Sequence, residues 1–313
     1  MKASVILPTH NRAYILKDCL QHILNQSISD YEVIVIDDAS TDDTAKIISK
    51  FLVGVSDDRQ ITPTYPAQLG KYSNLKYIKL EKQSGPHAAR NAGIKIATGE
   101  LIIFVDSDVL VHPDFIKDHI NIHTQYPDII LQGMVRYIKD IRKATFKLFY
   151  TNLMSFGILV SQNASIKKEW LIKAGLFDET FGIGYEDIDL GIRLQNLGLR
   201  FRYAIKQCKA YHINLPHSKK SIKEYISKHF ERGKCAYYFT KKHGAKAEQI
   251  AHTKKILAKA KFLNTDKWVE KPSCMKFLEN SIDSPIYPLF PLFRKAVKYH
   301  YRAKGIREAE MKK

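Results

Sequence analysis

Short apolar runs alternate with amphipathic segments along the first part of the chain. The runs are continuous and rich in β-branched residues, which predicts strands that are covered on both faces. Between them, apolar side chains recur every three or four residues, which predicts helices. The predicted strands are residues 3–7, 32–36, 75–80 and 100–105, and the predicted helices are residues 13–24, 85–97, 115–126 and a segment that contains residues 47–52. This order indicates an α/β fold whose mostly parallel sheet is flanked by helices.

Two later regions continue the alternation less regularly. Residues 129–137 and 157–166 have the apolar character of extended segments, and residues 169–174 are predicted to be helical. Residues 54–73 contain glycines and prolines and are predicted to form an exposed insertion before the strand at 75–80. In such a sheet, ligands bind beyond the carboxyl ends of the strands, so the residues that follow each strand are the candidates for chemistry.

The last third of the chain has a different pattern and most of the charge. From residue 218 onward, apolar residues follow a helical stripe and lysines lie largely off it. The formal net charge is +18, and residues 214–313 hold 24 Lys and Arg against 9 Asp and Glu. We therefore predict an α/β domain over residues 1–213 and a basic helical appendage over residues 214–313.

The basic appendage has three open interpretations. Apolar and aromatic residues alternate with Lys and Arg around residues 286–301, which favours an anionic membrane surface as partner. A solvated charged face explains the same pattern without any partner. Stacking of nucleic-acid bases on the tyrosines of this region is the third interpretation, and the tyrosines concerned are Tyr225, Tyr237, Tyr238 and Tyr299. The acidic motifs described next would repel a nucleic acid, so we disfavour that partner.

The amino-acid composition and the polarity of the longest uncharged segment bear on where in the cell the protein is located. Hydrophobic residues make up 45% of the chain, enough for a sizeable core, and the four cysteines have neither metal-site nor disulfide spacing. No leader peptide is recognisable at Met1, and the longest uncharged stretch, residues 148–166, is too polar for a bilayer interior. We expect a cytoplasmic protein without a transmembrane helix, held at the inner face of the membrane if the appendage binds lipid.

Acidic residues follow two of the predicted strands directly. Asp37 and Asp38 come after residues 32–36, and Asp106 and Asp108 come after residues 100–105. The first pair suits helix capping as well as ligand contact. The second pair lies on the same side of an extended chain, and carboxylate oxygens so placed suit Mg²⁺ or Mn²⁺ together with a phosphate.

These motifs resemble the inverting nucleotide-sugar glycosyltransferases of glycosyltransferase family two, which have the GT-A fold, a Rossmann-like nucleotide-diphospho-sugar transferase fold. Five ordered segments carry the resemblance: residues 4–12 (SVILPTHNR), 33–42 (VIVIDDASTD), 85–93 (GPHAARNAG), 104–108 (FVDSD, with the DxD motif) and 175–194, which includes GLFDE and GYEDIDL. The resemblance divides the domain into a nucleotide-binding half, residues 1–108, and an acceptor-side half, residues 109–213. It does not cover the basic appendage.

The resemblance implies a donor site and a cation site. The residues expected to contact the nucleotide are Pro8, Thr9, Asn11, Arg12, Asp38, Arg90 and Asp106. For Arg90, pairing with a nearby carboxylate is the alternative. Asp108 is expected to ligate the divalent cation, and His212 is expected to be a further ligand, a nitrogen donor that favours Mn²⁺ over Mg²⁺.

The resemblance also implies a catalytic base. Asp187 is expected to take the proton of an acceptor hydroxyl, with Glu186 or Asp189 holding its neighbours in place. By spacing alone, an acid pair at a helix N-terminus is the simpler interpretation of Glu186 and Asp187. Transfer from a nucleoside-diphosphate sugar, with UDP as the expected nucleotide, would invert the anomeric carbon. The acceptor is expected to be a glycan, polysaccharide or lipid-linked hydroxyl.

Other functions fit the sequence less well. The first strand is not followed by G-x-G-x-x-G or by G-x-x-x-x-G-K-[ST], which disfavours a dehydrogenase and a P-loop NTPase. The remaining alternative is a nucleic-acid- or membrane-binding protein that uses the basic appendage on a catalytically inactive GT-A scaffold. None of the expected acids is missing, so we favour the enzyme.

Overall fold

The computed structural model describes residues 1–52, 65–66, 72–144, 157–182, 184–213, 222–281 and 291–312. Most of the predicted insertion at 54–73, part of the uncharged stretch at 148–166 and the apolar residues 286–290 lie outside the described residues. The chain forms two compact units, one of residues 1–179 and 187–215 and the other of residues 180–186 and 216–313.

Strands of the first unit follow the predicted alternation. They are β1 (Ala3–Thr9), β2 (Tyr31–Asp37), β3 (Tyr65–Pro66), β4 (Leu75–Lys79), β5 (Leu101–Val105), β6 (Val109–Val111), β7 (Ile129–Gly133), β8 (Val135–Ile138), β9 (Asn163–Lys167), β10 (Arg200–Ala204) and β11 (Ala210–Ile213). Eight of them form one sheet in the order β10-β7-β9-β5-β1-β2-β4-β3. β1 pairs in parallel with both β2 and β5, whereas β9 is antiparallel to β5 and β7. The sheet is thus mostly parallel, as predicted.

Helices cover the sheet on both faces. They are α1 (Ala13–Leu24), α2 (Thr44–Ser49), α3 (Pro86–Ile96), α4 (Phe115–Gln125), α5 (Lys168–Lys173) and α6 (Glu186–Asn196). Successive strand residues enter two different core clusters: Val5 and Val33 belong to one, Ile6 and Ile34 to the other. This alternation explains why the strands are apolar without interruption, since both of their faces are buried.

A second, three-stranded sheet in the order β6-β11-β8 completes the first unit. β6 begins directly after Asp108 and pairs antiparallel with β11, so that Val109 faces His212. The Ile213 amide donates to the Asp108 carbonyl at 2.9 Å. This small sheet therefore connects the end of β5 with a segment that lies about a hundred residues later in the sequence.

The second unit is helical. Its helices are α7 (Ile222–Ala251), α8 (Thr253–Phe262), α9 (Pro272–Ser281) and α10 (Pro291–Met311). α7 and α10 approach each other closely at two glycines, because a Cβ at Gly233 would lie 2.1 Å from the Arg302 carbonyl oxygen and one at Gly305 would lie 2.1 Å from that of Phe230. Among the described residues, no helix is long and apolar enough to cross a membrane.

The observed units differ from the predicted domains in residues 180–186, which are predicted to belong to the first domain and instead belong to the second unit. The Phe181 and Tyr185 rings lie 6.5 and 5.1 Å from the Phe239 ring of α7, which places this segment with the helical unit. Val297 and Tyr301 are buried inside the same unit. These two apolar side chains of the predicted membrane-facing stretch are therefore inaccessible to a lipid surface.

Candidate active site

The carboxyl ends of three neighbouring parallel strands define the candidate site. Thr9 ends β1, Asp38 follows β2, and Asp106 follows β5. Because β2, β1 and β5 are adjacent and parallel, these residues lie along one edge of the sheet. The buried hydroxyl of Thr9 has no hydrogen-bond partner among the described residues, so it is available to a ligand.

Asp38 organises the loop that leads into α3. Its two carboxylate oxygens accept hydrogen bonds from the Ser84 amide at 2.6 Å and the Gly85 amide at 2.9 Å. Gly85 has φ of 91°, a left-handed conformation that favours glycine. The predicted contact of Asp38 with a nucleotide must therefore share the carboxylate with this loop.

Asn11 and Pro8 are engaged in contacts within the protein at the end of β1. The Asn11 side-chain oxygen accepts from the Thr41 amide at 2.8 Å and from the Asp42 amide at 3.3 Å. Pro8 is buried within β1, opposite Ile36 of β2. Both residues thus shape the end of β1, and their contact with the nucleotide stays a prediction.

Arg90 pairs with the first acid of the DxD motif. One of its guanidinium nitrogens donates to Asp106 Oδ1 at 2.7 Å, and the guanidinium carbon lies 5.8 Å from the centre of the Phe177 ring. Arg90 is 5% exposed, whereas the Asp106 side chain is 31% exposed. The pairing holds a positive charge beside the DxD motif, and pairing with a carboxylate is the alternative named for Arg90 in the sequence analysis.

Asp108 lies between a histidine and an arginine. Its Oδ1 is 3.3 Å from Nε2 of His212, and its Oδ2 is 3.6 Å from a guanidinium nitrogen of Arg12. Burial raises the pKa of the Asp108 carboxyl, and the charge of Asp106 raises it further, whereas His212 and Arg12 act in the opposite direction. The net effect is a raised pKa, so additional positive charge nearby would stabilise the ionised form of this buried carboxyl group.

These groups fit a divalent cation. A carboxylate oxygen and an imidazole nitrogen are brought together by the small sheet, and both are ligand types for Mn²⁺. No group of three or more His, Cys, Asp or Glu side chains is arranged for a metal in the part of the chain that the structure describes. The cation would therefore need further oxygen ligands, which a donor diphosphate could supply.

Asp187 is held at the start of α6. Its Oδ2 accepts from the amide of Ser161 at 2.9 Å and from the hydroxyl of the same residue at 3.0 Å. Ser161 is a site residue that the sequence analysis does not identify, because its role depends on a contact between distant segments. With two donors on one oxygen, the orientation of the carboxylate is fixed.

The two acids beside Asp187 have different surroundings. Asp189 is fully buried and accepts from two guanidinium nitrogens of Arg193, at 2.8 and 2.7 Å, and it is a structural residue of α6. Glu186 belongs to the second unit. Its buried Oε2 has no hydrogen-bond partner among the described residues. A catalytic contribution of Glu186 stays a prediction.

His87 is a further site residue that the sequence analysis does not single out. It is 3% exposed, and its Nδ1 has no hydrogen-bond partner in the described part of the chain. Burial lowers the pKa of His87, Arg90 lowers it further, and the charges of Glu179, Asp38 and Asp187 oppose this shift. His87 therefore lies within electrostatic reach of both Asp38 and Asp187.

Comparison with known families identifies this arrangement. Residues 4–175 match the family model of glycosyl transferase family 2. The chain belongs to this family. The match confirms the predicted family and covers the segments that carry Asp38, Arg90 and Asp108.

One curated relative is the poly(ribitol-phosphate) beta-glucosyltransferase of Bacillus spizizenii. It is 32% identical to this chain over 152 residues, which make up 47% of this chain and 21% of that protein. The match thus spans about a fifth of the length of this relative.

Two solved structures share the fold. A crystal structure of S. aureus TarS 1-349 in complex with UDP-GlcNAc is 22% identical with a TM-score of 0.56, and the match covers 98% of this chain and 92% of that chain. The mannosyltransferase PcManGT from Pyrobaculum calidifontis, in complex with GDP-Man and Mn²⁺, is 19% identical with a TM-score of 0.59, covering 100% and 88% of the two chains. This likeness confirms the predicted α/β fold of the GT-A type.

Proposed function

We propose that the chain transfers a sugar from a nucleoside-diphosphate donor to a hydroxyl acceptor, with inversion at the anomeric carbon. The observation that carries this proposal is the placement of Asp108 beside His212 and Arg12 at the end of β5, within a domain of glycosyl transferase family 2. A UDP-sugar is the proposed donor, by analogy with the UDP-GlcNAc in the TarS structure. A cell-surface glycan, polysaccharide or glycolipid is the proposed class of acceptor.

The donor would lie along the edge formed by β2, β1 and β5. Thr9 and Asp38 would contact the nucleoside, and Arg90 would provide positive charge for the diphosphate; the unpartnered Thr9 hydroxyl and the Arg90–Asp106 pair support these roles. Asp108 and His212 would hold a divalent cation, with Mn²⁺ favoured by the imidazole nitrogen. When bound, that cation neutralises negative charge on the leaving nucleoside diphosphate. Arg12, next to Asp108, is positioned to add to this charge compensation.

Asp187 is the proposed general base. The two Ser161 donors orient its carboxylate, which a base needs in order to take a proton from a defined acceptor hydroxyl. The deprotonated oxygen then attacks the anomeric carbon on the face opposite the leaving group. A single displacement of this kind inverts the anomeric configuration.

A donor-turnover screen tests this proposal. The chain is incubated with a panel of nucleotide sugars and Mn²⁺ or Mg²⁺, and release of the nucleoside diphosphate is measured. We expect turnover with a UDP-sugar that is lost in Asp108→Ala. In Asp187→Ala we expect donor binding to be retained and transfer to be lost.

Asp30→Ala is the matched control, because Asp30 is exposed and precedes the amino end of β2, whereas the candidate site lies at the carboxyl ends of the strands. Full turnover in Asp108→Ala would contradict the cation site, and full transfer in Asp187→Ala would contradict the base. If no nucleotide sugar is bound or turned over, the alternative of an inactive scaffold is favoured instead.

A further inference from the structure

Two helices of the second unit place four basic side chains near one another. His229 and Arg232 lie one turn apart on α7, and Lys298 and Arg302 lie about one turn apart on α10. The two helices approach closely at Gly233, the residue after Arg232, where an added Cβ would lie 2.1 Å from the Arg302 carbonyl oxygen. We call these four residues the cationic cluster; its positive charge comes from Arg232, Lys298 and Arg302, because burial lowers the pKa of His229 to about 3 and leaves that imidazole uncharged at neutral pH.

The cationic cluster is partly buried and has no acidic partner in the described part of the chain. All four side chains are partly buried, and none of them forms an ion pair with another described residue. Two acids of this unit are paired with other cations: Glu231 of α7 with Lys234 at 3.0 Å, and Glu270, in the turn before α9, with Lys304 at 2.7 Å. Within the described part of the chain, the positive charges of Arg232, Lys298 and Arg302 therefore have no ion-pair partner.

Burial, together with repulsion from neighbouring positive charges, lowers pKa values within the cationic cluster. Burial lowers the pKa of His229 to about 3, with further contributions from Arg302, Lys298 and Arg232. Burial also lowers the pKa of Lys298, and Arg302 and Arg232 add to that shift. Concentrating positive charge in a partly buried place costs free energy unless an anion offsets it.

Hydrogen-bonding capacity in the cationic cluster is also unused. Nε of Arg302 and Nδ1 of His229 are buried and have no hydrogen-bond partner among the described residues. A guanidinium group presents its donors in a planar fork that matches two phosphate oxygens, and an ammonium group adds a point charge. A tetrahedral oxyanion would satisfy both the charge and the donors.

The segment 180–186 borders the cationic cluster within the same unit. A Cβ at Gly184 would lie 3.5 Å from Nε of Arg232. Burial raises the pKa of Tyr185, and the charges of Arg302 and Arg232 oppose that shift. Tyr185 is held by stacking on Phe239 and has φ of 75°. In the chain, Tyr185 precedes the proposed base, Asp187, by two residues.

We propose that the cationic cluster is a binding site for a phosphate group that the acceptor carries, so that the enzyme glycosylates a phosphate-bearing acceptor. This inference rests on the proposed function, which assigns the donor diphosphate to the first unit and so leaves the acceptor as the source of the phosphate group. A membrane surface is a poorer match, since binding to anionic lipid typically uses a cluster of about four to eight Lys and Arg, whereas this cluster has three.

A binding experiment on the full chain tests the site. The probe is a fluorescently labelled oligomer of phosphodiester-linked glycerol, and its affinity is measured by fluorescence anisotropy at physiological ionic strength. We expect Arg302→Gln and Lys298→Gln each to weaken binding about tenfold, the loss expected for one charge-assisted contact. UDP affinity, measured on the same proteins, should not change.

Lys255→Gln is the matched control. Lys255 is exposed on α8, and its substitution removes one positive charge, as Lys298→Gln does. Unchanged oligomer binding in Lys298→Gln would overturn the proposal, as would an equal loss in Lys255→Gln. Binding to phosphatidylglycerol vesicles that depends on the cluster, with no binding of the oligomer, would also overturn it in favour of a lipid. If Arg302→Gln does not fold, as judged by circular dichroism, Lys298→Gln decides the outcome. Absence of UDP binding alongside intact oligomer binding would contradict the proposed function and leave this site in place.

Discussion

Nε2 of His212 lies 3.3 Å from Oδ1 of Asp108, although one residue belongs to β11 and the other follows β5. The antiparallel pairing of β6 with β11 produces this distance, because β6 starts at Val109 and Val109 faces His212. The position of the histidine is therefore set by backbone hydrogen bonds of the small sheet rather than by a flexible loop.

We expect His212→Ala to weaken cation-dependent activity while the fold is maintained. If His212 is the proposed nitrogen ligand, its loss should lower kcat/KM by roughly 100-fold, in the range typical of altered metal sites. The measurement is donor turnover as a function of Mn²⁺ concentration, where the half-maximal concentration should rise. His252→Ala, an exposed histidine of the second unit, is the control. An unchanged Mn²⁺ dependence in His212→Ala would remove this residue from the cation site.

The ionised carboxylate of Glu32, on β2, should stabilise the folded first unit at neutral pH and lose this effect in strong acid. Its carboxylate is 2.6 Å from the Lys76 ammonium group and accepts from the Thr98 amide at 2.6 Å. Burial opposes ionisation, but these contacts lower the pKa of Glu32 from 4.5 to about 2. The stabilisation is present above the unfolded-state value and is lost as pH falls through about 2.

Glu32→Gln should therefore lower the free energy of unfolding by about 2 kcal/mol at neutral pH, and the difference should shrink as pH falls below the unfolded-state value. Chemical denaturation across a pH series measures it. The exposed Glu81→Gln serves as control. A difference that stays constant from neutral to strongly acidic pH would contradict the assignment.

Two buried histidines of α4 should make the fold sensitive to acid. His119 contacts Ser165 Oγ at 2.8 Å and Asn163 Oδ1 at 3.1 Å, and burial lowers its pKa to about 3. Burial likewise lowers the pKa of His123 to about 4. Both are neutral in the folded state, so protonation of the unfolded chain below its ordinary pKa of 6.5 favours unfolding.

We expect His119→Gln to flatten the decline of unfolding free energy between neutral pH and mildly acidic pH by about 1.4 kcal/mol per pH unit, the contribution of one proton. Urea denaturation at several pH values gives this slope. His252→Gln should leave the slope as it is in the wild type, because His252 is exposed. A parallel shift of the His119→Gln curve without a change of slope would argue against a buried neutral histidine.

Gly233→Ala should destabilise the second unit. The new Cβ would lie 2.1 Å from the Arg302 carbonyl oxygen, so α7 and α10 would have to separate. We expect a loss of roughly 2–4 kcal/mol, typical of overpacking against backbone atoms. Hydrogen exchange of the α7 and α10 amides measures the loss locally. Ser227→Ala, an exposed position on α7, is the control, and equal exchange in the two variants would contradict the close approach.

Local pattern predicts much of the fold of the first unit. α1 has the predicted bounds, residues 13–24, because its buried residues recur with helical spacing on one face. Strand direction is different, because an apolar run looks the same in either orientation. The antiparallel placement of β9 between β5 and β7 depends on how the chain returns to the sheet, which a single-sequence pattern does not encode.

Candidate acids of the site are predictable for a related reason. Asp38, Asp106 and Asp108 stand directly after apolar strands, so their place at the sheet edge follows from the strand pattern. Their partners are not predictable in this way. Contacts such as Ser161 to Asp187 join segments that are distant in sequence, and His87 has no distinguishing pattern until its burial is known.

The segment 180–186 makes the second unit discontinuous in sequence. Deleting everything after residue 215 would therefore not yield an intact catalytic module, because Phe181 and Tyr185 would be deprived of Phe239 and left as solvent-facing aromatic rings immediately upstream of Asp187. Chimeras that exchange the helical unit between relatives should transplant this heptapeptide together with the carboxyl-terminal helices. Sequence changes in residues 180–186 and in the carboxyl-terminal helices are expected to be coupled during evolution, since a change in one part alters the surface that the other part must match.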